Sequence, residues 1–314
     1  MAVRSSGGVS RVLAKLSLSL DNGNYYEAHQ MYRTLYYRYS TQKKYDEVIT
    51  LLYDGSTKLL EFNQKSSATD LAVLLVDSLD KVENLDKEKW VRNLAGLMRK
   101  IGPIVERETF LAKSVKWAAL SGTETLKHLM HQQIAAILWD EGNLEQARHH
   151  FILSKDSGQF AKFLIELSGQ GYAKEVDLFI ANTVLQQLCM KDGKTSANQT
   201  FETYTKYHPK IATTQPPFSL PLLNFIYFLL KAIDTGKNLA MFKALCELYK
   251  PSIDRDPAYQ KYLEKVGVLF FNAPVARQGP QGGIFGDLIN QLFQGLDEGA
   301  SHEDDDEGDD DRLD

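Results

Sequence analysis

Only two cysteines, Cys189 and Cys246, occur in 314 residues, and no C-x-x-C or other paired spacing joins them. A disulfide framework and a cysteine-built metal finger are thereby excluded, and a reducing, intracellular setting is expected. Also missing are G-x-x-x-x-G-K-[ST], G-x-G-x-x-G, G-x-S-x-G and H-E-x-x-H. The chain thus carries no phosphate-cradling loop, dinucleotide fingerprint, nucleophile elbow or zinc-protease helix. Its most apolar run, Leu222–Leu230, contains Asn224 and stops at Lys231, well short of the ~20 residues a membrane-spanning helix needs. The opening M-A-V-R-S-S-G-G lacks the apolar stretch of a secretory signal. No strand-like alternation competes with helical periodicity along the body.

What is present is apolar enough to fold: 43% of residues are hydrophobic and 25% charged, sufficient for a sizeable core in one long domain or two. The net charge of −5 hides a division. Residues 297–314 hold 11 acidic residues and one basic, whereas the remainder has 35 Lys+Arg against 30 Asp+Glu. A run such as E-D-D-D-E-G-D-D-D repels itself and has nothing to bury, so the tail is expected to be disordered.

The stretch G-N-Y-Y-E-A-H-Q-M-Y-R-T-L-Y-Y-R-Y at 23–39 sets the pattern for the rest. Ala28, Met31, Tyr32, Leu35 and Tyr39 share one helical face, with Glu27, Gln30, Arg33, Thr34 and Arg38 opposite. Gly23 ends what precedes it, and Asn24 with Glu27 reads as a capping-box-like start. The same opening returns as G-N-L-E-Q-A at 142–147 and more loosely at 44–48 and 171–176. Helical segments follow almost without interruption. The expected fold is all-α: a right-handed α-solenoid of antiparallel, tetratricopeptide-like helix pairs. The linker H-P-K-I-A-T-T-Q-P-P at 208–217 leaves room for one small β-hairpin in the C-terminal half. A second linker at 272–283 separates the body from an apolar helix over 284–296. The expected domains are a flexible 1–8, solenoid halves at 9–153 and 154–296, and the acidic tail.

Candidate chemistry is sparse. Glu124, His128 and His131 fall at i, i+4 and i+7 and could offer ligands to a metal, but nothing identifies a completing group, so interhelical or surface histidines are the better reading. His149 and His150 splay about their helix, which disfavours a shared ion. The tyrosine-rich face of 25–39 lacks the dense basic groove that would make it a stacking platform for bases, so no nucleic acid is expected. One surface feature stands out: Arg11, Lys15, Arg33, Arg38, Lys43 and Lys44 place six cations near the N-terminus, which reads from periodicity first as a solvated helix face and otherwise as a docking surface for an acidic protein partner.

The 23–39 segment, together with A-T-D-L-A-V-L-L at 68–75, L-L-N-F-I-Y-F-L-L at 222–230, S-I-D-R-D-P-A-Y at 252–259 and the late G-G-I-F-G-D-L, resembles the Golgi to ER traffic protein 4 family over roughly residues 9–296. The acidic tail is no part of the likeness. The resemblance implies a non-enzymatic cytosolic adaptor, needing no cofactor or metal, that serves tail-anchored protein targeting to the ER. Such a protein docks a targeting ATPase on its N-terminal helices, for which Arg11, Lys15, Arg33, Arg38, Lys43 and Lys44 are the candidates, with Asp70 at an acidic position linked to ATPase regulation. The T-Q-K-K turn at 41–44 is a looser basic match. It holds a ubiquitin-like adaptor protein through the C-terminal half, for which Leu222, Phe225, Phe228, Phe285 and Leu288 are the candidates. In animals the family also joins a large ubiquitin-like chaperone scaffold. A generic tetratricopeptide-like scaffold of another pathway is the alternative, although the full repeat signature is absent.

Overall fold

The computed structural model describes residues 3–236 and 238–274. They form α1 (Val3–Asp21), α2 (Tyr25–Thr41), α3 (Tyr45–Glu61), α4 (Lys65–Leu79), α5 (Lys87–Ile101), α6 (Arg107–Leu120), α7 (Glu124–Asp140), α8 (Leu144–Ser154), α9 (Ser157–Gly169), α10 (Val176–Leu188), α11 (Gly193–Tyr207), α12 (Pro221–Thr235), α13 (Leu239–Leu248), α14 (Lys250–Ile253) and α15 (Ala258–Phe271). A 3-10 turn at Ala173–Glu175 precedes α10. The expected helix over 284–296 and the acidic tail lie outside the described residues.

Two compact units result, one ending at Lys127 and the other beginning at His128. In the first, a single turn is used repeatedly. Gly23, Lys43 and Asn63 each take a left-handed backbone, with φ of 77°, 56° and 58°. In each turn the next residue's N–H reaches back to close the preceding helix: Asn24 to the Ser19 carbonyl, Lys44 to Tyr39 and Gln64 to Leu59. This six-to-one bond satisfies carbonyls left over at a helix end and reverses the chain in three residues. Consecutive helices then pack side by side, and α2 also meets α4, α3 meets α5 and α4 meets α6. Stacked pairs of this kind bury their apolar faces only against neighbours. Asn24, expected as a side-chain cap, makes no capping bond. Glu27 turns instead toward Lys15 and Ser19 of α1.

In the second unit the same turn recurs at Gly142, φ 76°, with Asn143 bonded to Leu138. Here α10 is the central element, buried along most of its length. Its carbonyls at Val176 and Leu178 accept from the hydroxyls of Tyr204 and Tyr259, at 2.8 and 3.1 Å. Arg255 closes a two-pronged ion pair on its Asp177.

No strand occurs among the described residues, and the hairpin allowed for near 208–217 is an irregular loop. Side chains rather than a ladder hold it. His208 Nδ1 accepts from the Lys210 N–H at 3.1 Å, its Nε2 meets Ser168 Oγ at 2.9 Å, and the Asn224 amide clasps both the N–H and the carbonyl of Phe218 at 2.8 Å. Prolines at 209, 216 and 217 remove the donors a ladder would need. Gly102, φ 74°, closes α5, and Pro103 begins a turn that delays α6 to Arg107.

Candidate functional site

The N-terminal polar face is built on α1, α2 and α4. Helical spacing puts His29 and Arg33 one turn apart on α2, and stacking of α2 against α4 delivers Asp70 between them. Asp70 Oδ2 lies 2.8 Å from His29 Nε2 and 3.5 Å from Arg33 Nη1. His29 is buried, so it fixes the carboxylate from beneath, while Arg33 stays half-exposed beside it. A hydrogen bond involving Tyr37, and then the charge of Asp70, favours the charged Arg33. On α1, Lys15 Nζ pairs with Glu27 Oε1 at 2.8 Å, and Ser19 donates to the other oxygen at 3.2 Å. The Lys15 bond is the main reason the Glu27 carboxyl sits below its ordinary value.

The structure therefore brings Arg33 and Asp70 together and leaves the other candidates separate. Arg11, Arg38, Lys43 and Lys44 are exposed. Lys43 occupies the left-handed turn position and Lys44 precedes α3. His29 is the residue that sequence reading passed over. Its i, i+4 spacing to Arg33 was the available signal, but its partner Asp70 is 41 residues away.

In the C-terminal half the candidates divide by depth. Leu222 and Phe225 are both 0% exposed and belong to the core of α12, whereas Phe228 is 42% exposed. A partner meeting α12 as it stands reaches Phe228, not Leu222 or Phe225. Met241, Leu248 and Leu269 add further exposed apolar surface. Phe285 and Leu288 lie outside the described residues.

Among the described residues no group of three or more His, Cys, Asp or Glu side chains is placed to hold a metal ion. His131 meets His150 through their Nδ1 atoms at 2.8 Å. No described helix is long and apolar enough to cross a membrane.

The family model described as Golgi to ER traffic protein 4 matches residues 42–293. Golgi to ER traffic protein 4 homolog A of Xenopus laevis is 44% identical over 307 residues, covering 97% of this chain and 92% of its own length. The Homo sapiens homolog is also 44% identical over 307 residues, covering 97% and 91%. The crystal structure titled C. therm. Get4 aligns with a TM-score of 0.75 at 24% identity, covering 95% of this chain and 99% of that one. That structural likeness carries the fold, a helical solenoid. The sequence matches carry more: the chain belongs to the Golgi to ER traffic protein 4 family.

Proposed function

We propose that this protein is a non-catalytic cytosolic adaptor in the delivery of tail-anchored membrane proteins to the ER, joining a targeting ATPase to a ubiquitin-like adaptor. The observation that carries this is the 44% identity, over 97% of the chain, to proteins named for Golgi to ER traffic. The N-terminal face is the ATPase-docking side. Its exposed cations, Arg11, Lys15, Arg38, Lys43 and Lys44, together with the half-exposed Arg33, attract an acidic surface across water. Exposed charges of this kind add little affinity one by one but speed encounter. Asp70, held between His29 and Arg33, is an acid set among these cations, and its proposed role is to act on the bound ATPase rather than to attract it. The C-terminal half supplies the apolar contact for the ubiquitin-like adaptor, with Phe228 as its exposed anchor on α12. A large ubiquitin-like chaperone scaffold is a third partner. Surface plasmon resonance of the ATPase over a salt series tests the docking claim. Arg33→Glu combined with Arg38→Glu is expected to slow association while the far-UV circular dichroism stays unchanged. An unchanged association rate at low salt overturns it.

A further inference from the structure

On α1–α3 the molecule carries an open groove unlike the cationic face in character. Its volume is about 460 Å³, and Leu13, Tyr39 and Leu51 supply an apolar lining. Asp46, Glu47 and Asp54 project from the α3 side of the same space. Asp46 and Asp54 are two turns apart and therefore line up along α3. None of these three carboxylates forms an ion pair with a described residue.

Tyr32, on α2, is the second observation. It is 5% exposed and lines the groove, yet its hydroxyl makes no hydrogen bond to any described residue. Its ring lies against Gly55 of α3, where a Cβ would come within 2.8 Å of two ring carbons. The missing side chain at position 55 lets a large aromatic sink between the helices and leave its polar end at the opening. Burial, and after it the charges of Asp54 and Glu61, pushes the phenol up to about 12. The hydroxyl keeps its proton near neutral pH, as an ordinary phenol does, and can donate. A donor that meets only solvent at the mouth of a mostly apolar site is free to be taken up by a partner's acceptor.

The chain's acidic tail is a poor occupant. Residues 297–314 carry 11 acidic side chains and one basic one, so that segment is repelled by the groove carboxylates. We propose that the α1–α3 groove is a docking site for a basic peptide segment of another protein, with one aromatic or aliphatic side chain seated among Leu13, Tyr39 and Leu51, Lys or Arg on either side meeting Asp46, Glu47 and Asp54, and a backbone or side-chain acceptor meeting the Tyr32 hydroxyl. This surface selects positive charge, opposite in sign to the cationic face on the same helices, and its occupation does not depend on the family reading.

A random dodecapeptide library displayed on phage, selected on the immobilised full chain and depleted on the Asp46→Lys/Asp54→Lys variant, provides the test. Sequences with Lys or Arg flanking one aromatic or aliphatic residue are expected. By fluorescence anisotropy the charge-reversed variant should bind the best synthetic peptide about tenfold or more weakly. Tyr32→Phe should weaken it about threefold, the size of one neutral hydrogen bond. Circular dichroism of both variants should match that of the parent. No enrichment, a consensus without basic residues, or equal binding to the charge-reversed variant overturns the proposal. So does a concentration-dependent dimer that this variant abolishes, because it would give the groove to a second copy of the chain.

Discussion

Replacing Arg255 with Met tests how the C-terminal unit is held together. The Asp177 side chain is 0% exposed, and its two oxygens receive Arg255 Nη1 at 2.6 Å and Nη2 at 3.1 Å. Nη2 also donates to the Lys174 carbonyl at 2.9 Å, so one guanidinium secures both α10 and the turn that leads into it. Removing one partner of a fully buried pair costs ~3–5 kcal/mol, because the remaining charge loses its compensation without regaining water. Arg255 is itself 34% exposed in its side chain, so water can reach the vacated space. That exposure lowers the expected cost to about 2–3 kcal/mol. For a unit of this size 1 kcal/mol moves the melting temperature by ~2–4 °C, so a fall of roughly 4–12 °C is expected by differential scanning calorimetry. Adding Asp177→Asn should recover part of the loss, since the stranded charge is then gone. A shift below about 1 °C for Arg255→Met would show that the buried carboxylate does not depend on its partner, and would refute the reasoning.

Gly55→Ala should destabilise by roughly 1–2 kcal/mol despite the better helix former, because the new Cβ would lie 2.8 Å from the buried Tyr32 ring and 3.0 Å from Leu71 Cδ1; urea denaturation reads it. Acid should weaken the second unit through His150, which burial, and then the charge of His149, holds down at about 3 against an ordinary 6.5. The unfolded chain takes up a proton below 6.5 that the folded chain refuses until about 3, so stability is full above that window and falls as pH drops through it. The slope is up to about 1.4 kcal/mol per pH unit. His150→Gln should flatten that part of the pH–stability curve. Deleting residues 297–314 should shift the melting temperature by less than about 1 °C, since the segment offers almost nothing apolar to bury.

The apolar face of α2 was legible in the sequence because its spacing is local: Ala28, Tyr32 and Leu35 are buried, and Met31 and Tyr39 are half-buried. The turns were legible for the same reason, since Gly23 and Gly142 mark them. Lys43 and Asn63 take the same left-handed geometry without a glycine to announce it. Partners distant along the chain were not readable. Nothing local says that Glu27 abandons its capping role for Lys15, that His29 meets Asp70, or that Arg255 reaches Asp177. The C-terminal candidates show a further limit. The run at 222–230 is apolar over so much of its circumference that periodicity does not separate the buried Leu222 and Phe225 from the exposed Phe228. The acidic groove was missed because Asp46, Glu47 and Asp54 look like an ordinary solvated helix face until Leu13 and Tyr39 are placed beside them.

The proposed bridging role is tested most directly by mixing the full chain with the targeting ATPase and the ubiquitin-like adaptor and measuring the mass of the eluting species by size-exclusion chromatography with light scattering. A single species containing all three components is predicted, retaining less ATPase but the full complement of adaptor when Arg33→Glu and Arg38→Glu are combined. Binary complexes that never merge would contradict the account, as would a ternary species that the double reversal leaves intact.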